Sequence, residues 1–495
     1  MSAQSWIAAQ REAYLANAAA TRDFRVQMRG ARSVLIFGIY LGLLLLITYF
    51  TYSNLAGDEQ RTLMNVQRGL QSFRDFTTSL LAFGVLMIAP ALAATSIVTE
   101  RQRQSLDLVF SAPVTPKYYL VGKMISSYRY IWMLLALALP TSAVSVVLGG
   151  ATWYDILISY LIISMSALVL TAFGVLMSTL SRNIVPAVIY SYVFGFFYCA
   201  FLASEASAES AFHYSRDQIS FLAAASPFNS MLAARSYTLL GSVHVPNWIF
   251  VVVLSLMIAK ICLSAAGTVL MPSDKRLVVQ TRLHGLLYLA IGFSALTIVD
   301  FGGAARHATA LLATFALFVL TPLFPFVCCS GYGAGSRHYR NGSFNVLRIL
   351  DGTPAGGLPF LLLCVIVSYG SYGLVKSQTA TLDPSYWLFG LYPLSLWFFI
   401  GAFAQVCSSL AGSLQAARTS SFCWFLILVI LPLVCLMPFW DSFKDYQDVI
   451  LLGPMLDFDG KNALPLVHIL SLSCAGLAAV LFARLSVTSK KRSPA

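Results

Sequence analysis

Apolar stretches long enough to cross a membrane recur along the whole chain. A transmembrane helix needs about 20 mostly apolar residues, because it must span roughly 30 Å of hydrocarbon. Twelve stretches approach or meet that requirement, and they fall at 34–53, 76–98, 119–147, 155–180, 184–204, 247–271, 285–300, 308–330, 357–376, 386–409, 422–440 and 464–486. The sequence therefore predicts an all-α polytopic membrane protein of about twelve transmembrane helices in two six-helix halves.

The composition excludes a soluble domain, and the distribution of Lys and Arg explains why the chain is basic. Apolar residues make up 58% and charged residues only 11% of the 495 positions, whereas soluble domains carry about 25% charged residues. A net charge of +12 would fit nucleic-acid binding in a soluble protein. Here the predicted topology places all but nine of the 32 Lys and Arg residues on one side of the membrane. The excess therefore predicts orientation and contact with membrane lipids, and no nucleic-acid partner.

The basic side is expected to face the cytoplasm, as the positive-inside rule describes. This orientation places both termini in the cytoplasm of a chain embedded in the cytoplasmic (inner) membrane. The predicted segments are an amphipathic N-terminal helix at 1–33, a six-span module at 34–271, a cytoplasmic linker at 272–284, a second and degenerate six-span module at 285–486, and a basic tail at 487–495.

The segment between the second and third spans carries the most specific pattern. It reads ERQRQSLDLVFSAPVTPKYYLVGK from Glu100 to Lys123. Leu106, Val109 and Phe110 fall at helical spacing, so they form one apolar stripe. Pro113 and Pro116 would end that helix, because proline cannot continue the backbone hydrogen-bond ladder. We predict a short amphipathic helix over 100–116 on the cytoplasmic side.

This run resembles the signature of ABC-2-type permeases, the membrane subunits of a large class of ATP-driven exporters. The resemblance covers about residues 30–270 and implies the ABC-2-type permease fold with a coupling helix at 100–116. The coupling helix of that family contacts a separate ATP-binding cassette ATPase subunit, which would bind the ATP and Mg²⁺; a second permease or an accessory subunit is a further partner. The residues that the resemblance assigns to this contact are Glu100, Arg101, Arg103, Leu106, Val109, Phe110, Pro113 and Lys117.

The matching loop of the second half departs from this pattern. Residues 336–354 contain an amphipathic run that ends at a proline but lack the glutamate-arginine start. Arg340, Phe344, Leu347 and Arg348 would be its contact residues. The loop is either a degenerate second coupling helix or a basic loop.

Motifs for chemistry are absent from the sequence. It has no G-x-x-x-x-G-K-[ST] phosphate loop, no H-E-x-x-H, no G-x-S-x-G and no histidines at metal-ligand spacing. We therefore predict a transport subunit that is not itself an enzyme, with no catalytic residues, no metal site and no cofactor of its own.

Two basic residues within spans are candidates for the translocation path, because a charge inside a membrane is costly. Arg129 would line an internal cavity or extend its side chain to the inner interface. Lys260 would face the bundle interior, extend to an interface or bind an anion. The outer segment 205–246 is expected to form short helices.

Two other classes of function stay open at this point. A secondary transporter with twelve spans fits the span count equally well, and a non-transporting membrane scaffold would also use cytoplasmic loops to recruit a partner. The 100–123 segment and the scarcity of carboxylates inside the spans favour the ATP-driven class. The sequence does not identify the transported substrate.

Overall fold

The computed structural model describes most of the first half of the chain and little of the second. The described residues are 17–56, 63–106, 111, 116–147, 151–196, 198–199, 218–219, 224–240, 243–270, 275–298, 470–482 and scattered positions between 360 and 423. The chain divides into two compact units, Met1–Leu270 and Met271–Ala495. The two units are described separately.

The first unit is a helix bundle. Its described helices are α1 (Ala18–Met28), α2 (Ala31–Ala56), α3 (Leu63–Gln102), α4 (Pro116–Val147), α5 (Trp153–Leu180), α6 (Ile184–Phe196), α7 (Pro227–Leu232) and α8 (Asn247–Leu270). α3 ends, α4 begins and α5 ends at the same end of the bundle, where α1 lies. We call this the α1 end.

Four stretches of the described residues are long and apolar enough to cross a membrane. They are Leu70–Gln102, Lys117–Val147, Trp153–Leu180 and Asn247–Leu270, and they coincide with four predicted spans. The stretches Phe37–Leu46 and Ile184–Phe196 are shorter apolar helices at two further predicted spans. Large apolar side chains such as Leu35, Ile39 and Val185 are exposed on the bundle surface, as expected for helices that contact lipid.

The second unit contains α9 (Lys275–Ile298) and a shorter apolar helix, Leu470–Phe482. Residues 275–284 belong to α9, whereas the sequence predicted a linker over 272–284. No proline or glycine interrupts 275–284, so the helix of the seventh predicted span starts earlier. The predicted spans at 308–330 and 422–440 lie almost wholly outside the described residues, and so does the loop at 336–354. The count of twelve spans therefore stays a prediction.

Two helices of the first unit, α3 and α5, approach each other closely where they cross. A Cβ atom added at Gly174 of α5 would lie 2.7 Å from the Ala93 Cβ, 3.1 Å from the Ala94 nitrogen and 3.2 Å from the Pro90 oxygen of α3. One turn further along α5, the Ser178 hydroxyl accepts hydrogen bonds from the backbone amides of Ile97 and Val98. Small residues let two backbones approach in this way.

The end of the bundle opposite α1 carries a small sheet. β1 (Gln218–Ile219) pairs in parallel with β2 (Tyr237–Leu240), and β2 pairs antiparallel with β3 (Val243–Pro246). The expectation of short helices at 205–246 was right for α7 and incomplete, since β1 precedes α7 and β2 and β3 follow it. Gly241-Ser242 between two runs rich in β-formers is a hairpin signal.

The α3–α5 crossing generates the first prediction. Gly174→Ala is expected to lower the free energy of unfolding by about 1–3 kcal/mol, because the new methyl group meets backbone atoms that cannot rotate away. The matched control is Gly42→Ala in α2, where an added Cβ has nothing within 4 Å; it is expected to keep or slightly raise stability. Thermal unfolding of the purified protein in detergent measures both. Equal midpoints for the two variants would contradict the close crossing.

Candidate functional site

The end of α3 determines where the predicted site residues lie. The amide of Gln104 donates to the Arg101 carbonyl at 3.1 Å, and the amide of Ser105 donates to the Glu100 carbonyl at 3.0 Å. Gln104 has a φ of 56°. These two hydrogen bonds, together with the left-handed backbone of Gln104, form a Schellman motif. This motif terminates a helix and turns the chain away from it.

Glu100 and Arg101 therefore belong to the last turn of α3 and do not open a separate helix. Leu106 and Ser111 are helical, so helical structure resumes after the turn at Gln104. The predicted helix over 100–116 was wrong at its start, because the Schellman motif separates Glu100 from Leu106. Val109, Phe110 and Pro113 lie outside the described residues.

Glu100 lies in a group of charged side chains that joins three helices. Lys123 of α4 donates hydrogen bonds to Asp23 of α1 and to Glu100 of α3, and both N–O distances are 2.6 Å. The Tyr119 hydroxyl donates to the second Glu100 oxygen at 2.5 Å. Arg22 of α1 donates to Asp23 at 3.1 Å and to Glu100 at 3.2 Å. We call these five residues the Lys123 cluster.

The Lys123 cluster is largely removed from water and electrically balanced. The exposed fractions of the side chains are 6% for Lys123, 14% for Asp23 and 16% for Glu100, whereas Arg22 is 62% exposed. Two cations face two carboxylates, so no buried charge is uncompensated. The hydrogen bond to Asp23 raises the pKa of Arg22 above its ordinary value, so the arginine stays charged. A buried charge group of this kind tolerates the loss of a partner poorly.

A second contact fixes α1 to the start of α4. The Asn17 side chain accepts the amide of Ala20, which caps α1, and its amide nitrogen donates to the Tyr118 carbonyl at 2.9 Å. A Cβ at Gly122 would lie 2.8 Å from the Asn17 oxygen, so glycine gives Asn17 room. Together with Lys123, Asn17 holds α1 against α4.

Arg101 performs a different role from its neighbour. Its guanidinium donates to the carbonyls of Ser181 at 2.7 Å and Thr179 at 2.9 Å, at the end of α5. The last carbonyls of a helix have no intrahelical partner, and a cation there also interacts favourably with the helix dipole. Arg101 thus joins the ends of α3 and α5.

The remaining predicted site residues differ in how exposed their side chains are. Arg103 and Lys117 are exposed on either side of the turn that follows α3. Arg129 is half-buried and donates to the Thr21 hydroxyl of α1 at 3.3 Å, so it contributes to the α1–α4 contact. Lys260 is exposed on the face of α8 that also exposes Val253 and Leu256. Arg340, Phe344, Leu347 and Arg348 lie outside the described residues.

Sequence reasoning missed four of the five members of the Lys123 cluster, all except Glu100, and its link to α1. A lysine one turn after Tyr119, inside the predicted span 119–147, needs a compensating charge, and that need was the available signal for Lys123. The identity of the partner on α1, Asp23, depends on tertiary packing. Among the described residues, no group of three or more His, Cys, Asp or Glu side chains could hold a metal ion.

A second ion pair lies at the opposite end of the bundle. Arg235, just before β2, donates to both oxygens of Asp155 in α5, at 2.5 and 2.8 Å. Asp155 also caps α5 reciprocally with Thr152. Asn247 donates to the carbonyls of Ser230 and Ala233 at about 3 Å. The segment between α6 and α8 is therefore attached to α5 and α8 through these residues.

Comparison with known proteins places this geometry in a family. The family model described as ABC-2 family transporter protein matches residues 18–270. The match begins at the first residue of α1 and ends at the last residue of α8, so it covers the whole described bundle of the first unit. A search of curated proteins finds no match.

The Lys123 cluster generates the second prediction. Lys123→Met is expected to lower the free energy of unfolding by about 3 kcal/mol, because it leaves two buried carboxylates side by side without their main cation. Arg22→Gln removes a mostly exposed cation and is expected to cost below about 1 kcal/mol. Denaturant unfolding followed by tryptophan fluorescence compares the two. Equal losses would contradict Lys123 as the central cation.

The Schellman motif generates the third prediction. Gln104→Gly is expected to raise the free energy of unfolding by about 1 kcal/mol, because glycine adopts a positive φ without steric cost. Gln102→Gly is the matched control within the helix and is expected to lower it by about 0.5–1 kcal/mol. Thermal unfolding midpoints distinguish the two signs. A loss at both positions would contradict the left-handed turn at Gln104.

Proposed function

The chain belongs to the ABC-2 family of transporter proteins, and from that premise we propose that it is the permease subunit of an ATP-binding cassette exporter. In this proposal the chain forms the path across the membrane and performs no chemistry. A separate ATPase subunit binds ATP and Mg²⁺ and hydrolyses the nucleotide. The α1 end faces the cytoplasm of a chain in the cytoplasmic membrane, in keeping with its basic residues.

The observation that carries the proposal is the position of the Lys123 cluster. It joins the two sides of the 103–115 segment, since Glu100 lies in the last turn of α3 and Lys123 lies in the second turn of α4. A displacement of that segment by an ATPase would reach both helices at once. α1 would move with them, because Asp23 and Asn17 attach it to α4.

Arg101 extends the same movement to α5. Its two hydrogen bonds to the Thr179 and Ser181 carbonyls tie the end of α5 to the end of α3. An allosteric account requires an element with two arrangements whose balance both sites change. We propose that the end of the bundle formed by α1, the last turn of α3, the first turns of α4 and the end of α5 is this element, and that it moves as one body between two positions.

The roles of individual residues follow from this arrangement. Glu100 and Arg101 transmit the displacement, whereas Arg103, Leu106, Val109, Phe110, Pro113 and Lys117 form or flank the surface that meets the ATPase. A second permease module, supplied by this chain or by another, would complete the path. Arg129 and Lys260 stay candidates for the translocation path in this proposal, and Arg129 also joins α4 to α1 through Thr21.

The positions of the carboxylates favour an ATP-driven transporter over an ion-driven one. Among the described residues, the buried or largely buried carboxylates Asp23, Glu100 and Asp155 lie at the two ends of the bundle, and each is paired with a cation. A proton relay would need titratable groups within the membrane.

The fourth prediction concerns the ATPase contact. The tagged full chain is expected to co-purify from its native membranes with an ATPase that contains a phosphate loop. Phe110→Asp is expected to reduce the co-purified ATPase about tenfold, because it places a charge in the apolar stripe that would contact the partner. Tyr237→Asp is the matched control, because Tyr237 is an exposed aromatic residue at the opposite end of the bundle.

Two outcomes would contradict the proposal. One is equal recovery of the ATPase with the Phe110 and Tyr237 variants, which would remove the contact from the 103–115 segment. The other is transport by reconstituted vesicles that an ion gradient drives without ATP. Quantitative mass spectrometry of the purified complex and flux measurements in vesicles, respectively, test these outcomes.

A further inference from the structure

The outward face of α1 carries three arginines, two of which do not belong to the Lys123 cluster. Arg22, Arg25, Val26 and Arg29 are exposed, and at 3.6 residues per turn they fall within about 100° of the helix circumference. The opposite face contains Ala20, which is fully buried. α1 is therefore an amphipathic helix whose inner face is already occupied by α4.

Two of these arginines carry charge without a carboxylate partner. Arg22 is neutralised by Asp23 and Glu100. Among the residues that the structure describes, neither Arg25 nor Arg29 forms an ion pair. Helix dipole stabilisation accounts for part of their placement, because both lie at the C-terminal end of α1. It does not account for the exposed apolar side chain between them, Val26, of which 66% is exposed.

The connection to α2 places this face at a membrane boundary. α1 ends at Met28 and the apolar helix α2 begins at Ala31, so only Arg29 and Gly30 separate the two helices. Leu35 and Ile39 in the first turns of α2 are each 60% exposed. The exposed face of α1 thus combines basic residues with one apolar residue, and the exposed apolar side chains of α2 follow directly. This composition is typical of a helix at a membrane interface.

We propose that the face formed by Arg25, Val26 and Arg29 binds the headgroup phosphates of acidic phospholipids in the adjacent leaflet. The two guanidinium groups donate to phosphate oxygens, for which their planar geometry is well suited. Val26 inserts among the upper methylene groups. The bound lipid holds the outer face of α1 while α4 holds its inner face. This inference requires only that the chain lies in a membrane, and it holds whether or not an ATPase drives it.

The test measures lipid selectivity of the full chain in vesicles. Purified protein is reconstituted without any partner chain into phosphatidylcholine vesicles that contain a trace of spin-labelled phosphatidylglycerol or spin-labelled phosphatidylcholine. Electron spin resonance gives the relative association constant of each label with the protein. The wild type is expected to prefer phosphatidylglycerol, and higher ionic strength is expected to weaken that preference.

Matched variants locate the lipid contact on α1. Arg29→Gln is expected to lower the preference by about fivefold and Arg25→Gln/Arg29→Gln further, because each basic residue near an anionic surface contributes about 1 kcal/mol. Arg25→Lys/Arg29→Lys keeps the charge and is expected to retain most of the preference. Arg182→Gln is the control, because Arg182 is an exposed arginine at the same end of the bundle but outside α1; it is expected to lower the preference much less than Arg29→Gln does.

Each contrary result would overturn the inference. A preference that Arg25→Gln/Arg29→Gln leaves intact would show that α1 does not hold the lipid. Equal losses with Arg29→Gln and Arg182→Gln would show a general effect of charge instead of a contact on this face. Circular dichroism of each variant checks that the helix content is retained.

Discussion

The ammonium group of Lys123, held between two carboxylates, is the interaction on which the first half of this protein depends. It lies 2.6 Å from oxygens of both Asp23 and Glu100, and it comes from the second turn of a helix that continues into the membrane. A lysine in that position needs compensation, and each carboxylate needs the lysine in return. The requirement brings together an N-terminal helix, the end of α3 and the start of α4, which are far apart in the sequence.

An arginine side chain holds α5 in place at each of its ends. Arg101 binds the carbonyls at its C-terminus, and Arg235 binds Asp155 in its first turn. Between these two contacts α5 crosses α3 at Gly174, where the helices lie so close that a residue with a side chain would not fit in place of the glycine. α5 is held at both ends and packs closely against α3 near its own C-terminus, so it cannot move independently of α3. Movement at the α1 end would therefore be carried along the bundle by α3 and α5 together.

The sequence predicted the spans of the first half well, because long apolar runs have few alternatives to a transmembrane helix. It predicted Glu100 and Arg101 as important through a resemblance, but it assigned them to the wrong element. Gln104 gave no signal for a left-handed turn, since that position is usually glycine. Gly241-Ser242 indicated the hairpin at 237–246, but the prediction for this loop considered only its composition. The partners Asp23 and Arg235 depend on tertiary packing, and spacing along the chain does not encode them.

The central claim is that α1 and the end of α3 move as one body when an ATPase acts on the segment after α3. The most direct test is a pulsed electron resonance distance between spin labels at Val26 and Gln102, two exposed positions that flank the Lys123 cluster without belonging to it. The distance is measured in the complex with its ATPase, with and without bound nucleotide. The account predicts one narrow distance that nucleotide leaves unchanged, while the distance from Gln102 to a label on the ATPase changes. A distance between Val26 and Gln102 that itself changes with nucleotide would contradict the account.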